Sequence, residues 1–269
     1  MLVASAALAG ALISRRRFDR HLQRLAAALR SARITPQNRS DLPAEVLALA
    51  ARLGVPPDSA ATFAEFEQTG QMWAKPRGAP IDFRAHQTVR VDAPGFVWRA
   101  VTSFPSPMVI ADYFANGVGG LEVRMAGAIP IAHTVANAGI NRGELLRYLA
   151  EIPLNPDAIL ANRSLEWSVI DARTIIVASG VGAERGEITF VLGDDGLIAS
   201  GRAASRDYAS KDGPIALPWH GRFWNYRRTG GRLIPENAEV AYTLSTGDFV
   251  YWRGRSFNWR QPGSQHDGA

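Results

Sequence analysis

Hydrophobic positions in this chain recur first with a helical period and later with a period of two. Phe18, Leu22, Leu25, Leu29 and Ala32 lie three or four residues apart with arginines on the other side, which predicts an amphipathic helix. Thr35-Pro36 and the polar run to Asp41 read as a linker. Pro43 then opens a second helix, LPAEVLALAARLG, stopped by Gly54 and the Pro56-Pro57 pair. In IDFRAHQTVRV the alternation changes. Phe83, Ala85, Val89 and Val91 share one face, and Arg84, His86, Thr88 and Arg90 the other, as in a half-buried strand. Similar short segments follow in GFVWRAV, MVIADYF, LEVRM, LEWSVI, TIIVAS, GEITFVL, GLIASGRA, EVAYTL and FVYWRG. Turn residues such as Asn116-Gly117, Asp194-Asp195-Gly196 and Gly230-Gly231 separate several of them. A large antiparallel meander is the natural assembly.

Arg142 to Leu160, RGELLRYLAEIPLNPDAIL, interrupts that meander with a helical stretch. Asn141 is the expected N-cap, and Glu144 three residues later matches a capping box. Leu145, Leu146, Leu149 and Ile152 make one apolar face. Glu144, Arg147 and Glu151 fall on the other, where Arg147 can bridge both acids as a self-satisfied outer face. Pro153 ends the helix, and Pro156 keeps it from resuming. The leucines then either fill the curve of a sheet or roof a pocket.

Composition adds a basic N-terminus. The net charge is +5, and eight arginines from Arg15 to Arg39 stand against a single acid, Asp19, in the first forty residues. Such a segment favours an anionic lipid surface. The rest of the chain is near neutral and carries no nucleic-acid motif, so no nucleic-acid partner is expected. The opening MLVASAALAGALIS is apolar, but ~14 helical residues reach only about 21 Å against a hydrocarbon core of about 30 Å. It reads as the tail of a longer signal or anchor, a half-inserted anchor, or a buried helix. SRRRF resembles a twin-arginine signal, but follows its apolar stretch instead of preceding it.

Chemistry is sparse. Cysteine is absent, which removes disulfides, thiol nucleophiles and cysteine-ligated metals. None of the five histidines has metal-ligand spacing, so no metal is expected. GxSxG, GxGxxG and Walker A loops are also missing, and no cofactor is expected. His133 in IPIAHTV reads as a hydrogen-bonded core residue. His220 in PWHGRFWNY, with Glu144 and Glu151, is the available acid/base set; no reaction is assigned to it. Aromatic residues concentrate late in the chain, as a core ladder or as the wall of an apolar cavity. In the cavity reading the wall comes from Leu145, Leu149, Trp167, Trp219, Phe223 and Trp224, continued by Tyr226, Tyr242, Tyr251 and Trp252. Arg206 and Arg222, with Arg227 and Arg253, would mark the rim.

RYLAE, AIL, LEWSVID, ITFVLGDDGLI, PWHGRFWNY, GGRLIPENAEVAY and YWRGR, in this order, resemble the motifs of a bacterial family of unknown function. The likeness covers about Leu42 to Phe257. It implies a lipoprotein-carrier-like (LolA/LolB-like) fold, in which a strongly curved antiparallel sheet wraps around helices and can hold acyl chains on its concave face. Three positions depart from the family pattern. Leu154-Asn155 replaces an aromatic after RYLAE, Val191-Leu192-Gly193 weakens an acidic hairpin position, and Tyr242 stands for a tryptophan. The resemblance brings no reaction or catalytic residue with it.

The expected fold is therefore α+β: a large curved antiparallel sheet, or half-barrel, packed on one or more helices, with an N-terminal helical extension. Residues 1–35 are expected to be a membrane-associating helical segment, 36–69 a helical lead-in, 70–260 the curved-sheet domain and 261–269 a disordered tail. The expected role is binding of an apolar ligand, a lipid or acyl chain, by a membrane-associated or envelope protein. A small-molecule enzyme such as an isomerase or cyclase, and a structural envelope protein without ligand, are the other two readings.

Overall fold

The computed structural model describes residues 2–31, 39–103 and 107–261, with side chains from residue 9 onward. Helix α1 (Leu2–Arg30) and helix α2 (Ala44–Arg52) precede six strands: β1 (Phe63–Met72), β2 (Ile81–Arg90), β3 (Phe96–Thr102), β4 (Met108–Ala115), β5 (Val118–Met125) and β6 (Ile129–His133). Helix α3 (Ala138–Ala150), a 3-10 turn (Ile152–Leu154) and the short α4 (Ala158–Ala161) follow. Seven strands complete the chain: β7 (Glu166–Asp171), β8 (Thr174–Ser179), β9 (Gly186–Leu192), β10 (Ile198–Ser210), β11 (Gly213–Thr229), β12 (Arg232–Leu244) and β13 (Gly247–Arg260).

Among the described residues these strands form one antiparallel sheet, ordered β6-β5-β4-β3-β2-β1-β13-β12-β11-β10-β9-β8-β7. The chain starts in the middle, runs out to one edge, crosses through α3 to the other edge, and returns until β13 pairs with β1. Helix α3 touches β4 and β5 on one arm and β8, β9 and β10 on the other. One helix reaches both arms only because the sheet curls around it, a half-barrel with α3 in its concave face.

The concave face carries the main core. Leu145, Leu146 and Leu149 of α3 are buried against Phe96, Ile188, Phe190 and their neighbours, so these leucines fill the curve. Tyr148 is fully buried, its hydroxyl donating to Arg90 O (3.1 Å) and accepting from Asn162 Nδ2 (3.1 Å). At the corner after α3, Leu154 and Asn155 are also buried; Leu154 O accepts from Trp259 Nε1 and Asn155 Nδ2 donates to Arg90 O. That corner is fixed by packing and hydrogen bonds.

The convex face carries a smaller cluster. Phe18, Leu22 and Leu29 of α1 are buried on Val97, Val109 and Ala111 of β3 and β4. The amphipathic stripe of α1 is thus spent on the sheet over this length. Ser14 Oγ donates to Ala128 O (2.7 Å), and Arg124 stacks over the Phe18 ring at 4.4 Å, which carries the docking toward β6.

Several expectations change. The lead-in is helical only over Ala44–Arg52; Phe63–Met72 is β1, a central strand paired on both sides. Gly54 ends α2 at φ +81°, where a Cβ would also strike Gly231 O. The N-cap of α3 is Asn137, which accepts from Ile140 N at 3.0 Å, one turn before Asn141. Asn141 instead ties the helix to its surroundings, accepting from Gly119 N and donating to Glu184. His133 is not a core residue: β6 is the edge strand, exposed along its whole length, and His133 stands 3.6 Å from Glu122. The Thr35-Pro36 linker and the C-terminal tail beyond residue 261 lie outside the described residues.

Candidate functional site

Alternation along the strands decides which side chains enter the concave face. In β2 the inward set is Phe83, Ala85, Gln87 and Val89; in β4 it is Ile110, Asp112 and Phe114, paired in register with Ala100, Trp98 and Phe96 of β3. Gln87 and Asp112 are therefore polar groups built into apolar rows, and both meet α3.

There the helix presents its charged residues inward. Arg147 bonds Asp112, donates through Nε to Glu151 Oε1 (2.8 Å) and reaches Gln87 Oε1 at 3.3 Å. Its guanidinium lies over the rings of Phe96 (4.6 Å) and Trp98 (5.2 Å). Gln87 in turn donates to Glu151. Glu144 does not join Arg147 as a bridged outer pair; its Oε1 faces Arg206 of β10 at 3.7 Å. The side chains of Asp112, Glu144, Arg147, Glu151 and Arg206 are only 10–19% exposed. The charged face expected outside is inside, because the sheet wraps both sides of the helix.

Burial, then the charge of Asp112, raises the Glu144 carboxyl well above the ordinary carboxylate range. Buried Arg147 is held charged: burial alone would lower its pKa, but Glu151, Asp112 and Glu144 outweigh that. Glu144 Oε2 and Asp112 Oδ1 are buried without a hydrogen-bond partner among the described residues. A protonated Glu144 carries an O–H that can donate to a neighbouring acceptor, which the ionised form lacks. A raised carboxyl contributes stability that is complete below its unfolded pKa and is lost as pH rises through its folded pKa. Glu144→Gln, which cannot ionise, is expected to fold and to abolish that part of the decline in Tm between acid and neutral pH. Melting curves of both proteins across this range check it; identical slopes would contradict it.

Beyond α3 the same face becomes apolar. Met72 pairs with Ile81 and Trp252; Trp252 with Val240; Phe249 with Tyr242; Tyr242 with Trp219; Arg206 with Leu217; and Tyr208 with Ile215. Because register partners share a face, these residues form one shelf across β2, β1, β13, β12, β11 and β10. The rings are in contact: Tyr208–Tyr242 5.1 Å, Tyr242–Tyr251 5.3 Å and Phe83–Trp252 5.7 Å. A bulge in β13 turns Tyr251 and Trp252 to the same side, and Gly254 lacks the Cβ that would strike the Trp252 ring. This is the physical content of the YWRG motif. Met72, Tyr208, Leu217, Leu244, Tyr251 and Trp252 are only partly buried, while Ile81 and Ile215 are exposed. Beside the shelf, Trp73, Arg77, Leu244, Phe249 and Val250 line a cavity of about 320 Å³. A second, of about 350 Å³, lies on the convex face between α1 and the β2–β3 strands, lined by Leu22, Arg30, His86 and Arg99.

Of the residues expected from sequence, Trp219, Tyr242, Tyr251, Trp252 and Arg206 come together on this face. Leu145 and Leu149 are core beneath α3, and Phe223 is core beside it. Tyr226 is packed against the core with its hydroxyl on Ile198 O (2.8 Å), and Trp167 lies on β7 at the far arm. Trp224 and Arg222 alternate to the convex face; Arg222, Arg227 and Arg253 pair there with Glu239 and Glu236 in an exposed ladder. His220 also points there, 3.3 Å from Asp248, so it does not meet Glu144 or Glu151. Among the described residues no cluster suited to a metal ion occurs.

The sequence matches the model of a family described as "Family of unknown function (DUF6920)" over residues 40–257. No curated protein matches it. Solved structures with a similar course include a LolA superfamily protein of Nitrosomonas europaea, 13% identical, with a TM-score of 0.41 over 80% of this chain and 91% of that one. A DUF1329 family protein of Desulfovibrio piger is 10% identical, with a TM-score of 0.44 over 83% and 92%. A putative outer membrane lipoprotein-sorting protein domain of Vibrio parahaemolyticus is 8% identical, with a TM-score of 0.41 over 83% and 93%.

Proposed function

This chain belongs to that family of unknown function, and we propose that it binds an apolar molecule, a lipid or acyl chain, on the concave shelf beyond α3. One observation carries the reading: six strands place large apolar side chains on one concave surface and leave them partly open, next to an aromatic wall already in ring contact. A sheet face evolved only as core would be covered, as the same sheet is under α3. The ligand is held by dispersion and exclusion of water, with no demand for a cofactor.

A membrane-associated or envelope role accompanies this proposal. Leu12 and Ile13 of α1 are exposed just ahead of Arg15, Arg16 and Arg17, a combination that suits an anionic membrane surface. Among the described residues no helix is long and apolar enough to cross a membrane.

Native mass spectrometry and solvent extraction of the purified protein test the binding. A stoichiometric apolar ligand, or uptake of an added one, is the expected result. A protein that emerges empty and takes up no lipid would overturn it.

A further inference from the structure

The shelf has a charged inner end. Arg206 sits on β10 between the Ala203–Trp219 and Tyr208–Ile215 pairs, where α3 gives way to the apolar surface. Its guanidinium stacks over Trp219 at 4.8 Å and donates to the Tyr251 hydroxyl at 3.3 Å. Glu144 Oε1, at 3.7 Å, is beyond hydrogen-bond length. Two other largely buried arginines are differently served: Arg147 is bonded by Asp112 and Glu151, and Arg232 by Asp157. A guanidinium has five donors and does not lose its charge. Arg206 thus faces Glu144 without a hydrogen bond to it, and its hydrogen-bonded partner is the neutral Tyr251 hydroxyl.

We propose that Arg206, with the Tyr251 hydroxyl beside it, holds the monoanionic head of a single-chain amphiphile, a carboxylate or phosphodiester, whose alkyl chain lies on the shelf. The inference rests on the shelf being an apolar site, and specifies what occupies it. A planar guanidinium grips either head through two parallel hydrogen bonds. A head seated there adds a hydrogen-bonded counter-charge to a guanidinium that is only 11% exposed, so the pairing is stronger than at the surface. Tyr208, Leu217 and Trp252 then receive the chain.

Titrations of the purified protein with dodecanoate, lauroyl lysophosphatidylglycerol and 1-dodecanol, each below its aggregation limit, test this. At least one anionic amphiphile is expected to bind tenfold or more tightly than dodecanol, and which one does so identifies the head. Arg206→Met is expected to remove the difference between the anionic amphiphile and dodecanol. Tyr251→Phe, a milder change that keeps the ring, is expected to reduce it, and the comparison in the unmutated protein stands even if Arg206→Met does not fold. Equal affinity for all three would overturn the head-group role and leave the apolar shelf standing. Absence of binding by any of them would overturn both.

Discussion

Arg147→Ala is expected to destabilise the fold by about 3–5 kcal/mol, the scale for removing one partner of a buried ion pair. The reason lies in what remains. Asp112 and Glu151, both under one-fifth exposed, would be left in the concave interior without the guanidinium that now bonds them. The rings of Phe96 and Trp98 would also lose the cation over their faces. Since domains of this kind have about 5–15 kcal/mol in all, a large share of the stability is at stake. Arg147→Lys is expected to fall between, because an ammonium restores the charge but not the fork that reaches Asp112, Glu151 and Gln87 together. Arg222→Ala on the exposed ladder is the control, with an expected change within about 0.5 kcal/mol. Urea unfolding followed by tryptophan fluorescence measures all three. A loss below about 1 kcal/mol for Arg147→Ala would mean that the cluster is solvated and that α3 does not present its charges inward.

The sequence pattern makes the sheet legible and leaves the inside of the curve obscure. Period-two segments such as IDFRAHQTVRV and MVIADYF are strands in the structure, and the expected curved antiparallel sheet is the one observed. The leucine face of α3 is equally plain. Its opposite face misleads, because i, i+3 and i+4 charges on an isolated helix look like a solvated stripe. Only the sheet wrapping both sides makes Glu144 and Arg147 interior residues, and that wrapping is a property of thirteen paired strands, not of local spacing. A signal did exist. Asp112 and Gln87 sit at inward positions of otherwise apolar rows, where a buried polar group requires a partner. Arg222 and His220 illustrate the converse: one-residue alternation in β11 sends them to the opposite face from Trp219, a distinction that composition alone does not make. His133 misleads for a third reason, since apolar neighbours on an edge strand are not thereby buried.

The shelf is where the account is most exposed to test, and Trp252 is its centre. The ring packs on Phe83 at 5.7 Å, pairs across to Met72 and Val240, and is only partly buried. Trp252→Glu therefore places a carboxylate where an alkyl chain would lie and removes the largest contact surface. Loss of a central aromatic anchor costs at least about 2 kcal/mol, or roughly thirtyfold in affinity. Trp224 provides a matched control, because it belongs to the neighbouring strand pair but projects from the convex face and is exposed. The decisive measurement is a titration of the unmutated, Trp252→Glu and Trp224→Glu proteins with a fluorescent apolar probe such as 1-N-phenylnaphthylamine. Saturable binding that weakens thirtyfold or more in Trp252→Glu and is unchanged in Trp224→Glu is the predicted result. Equal binding by all three folded proteins, or none by the unmutated one, would contradict the assignment of the concave shelf as an apolar ligand site.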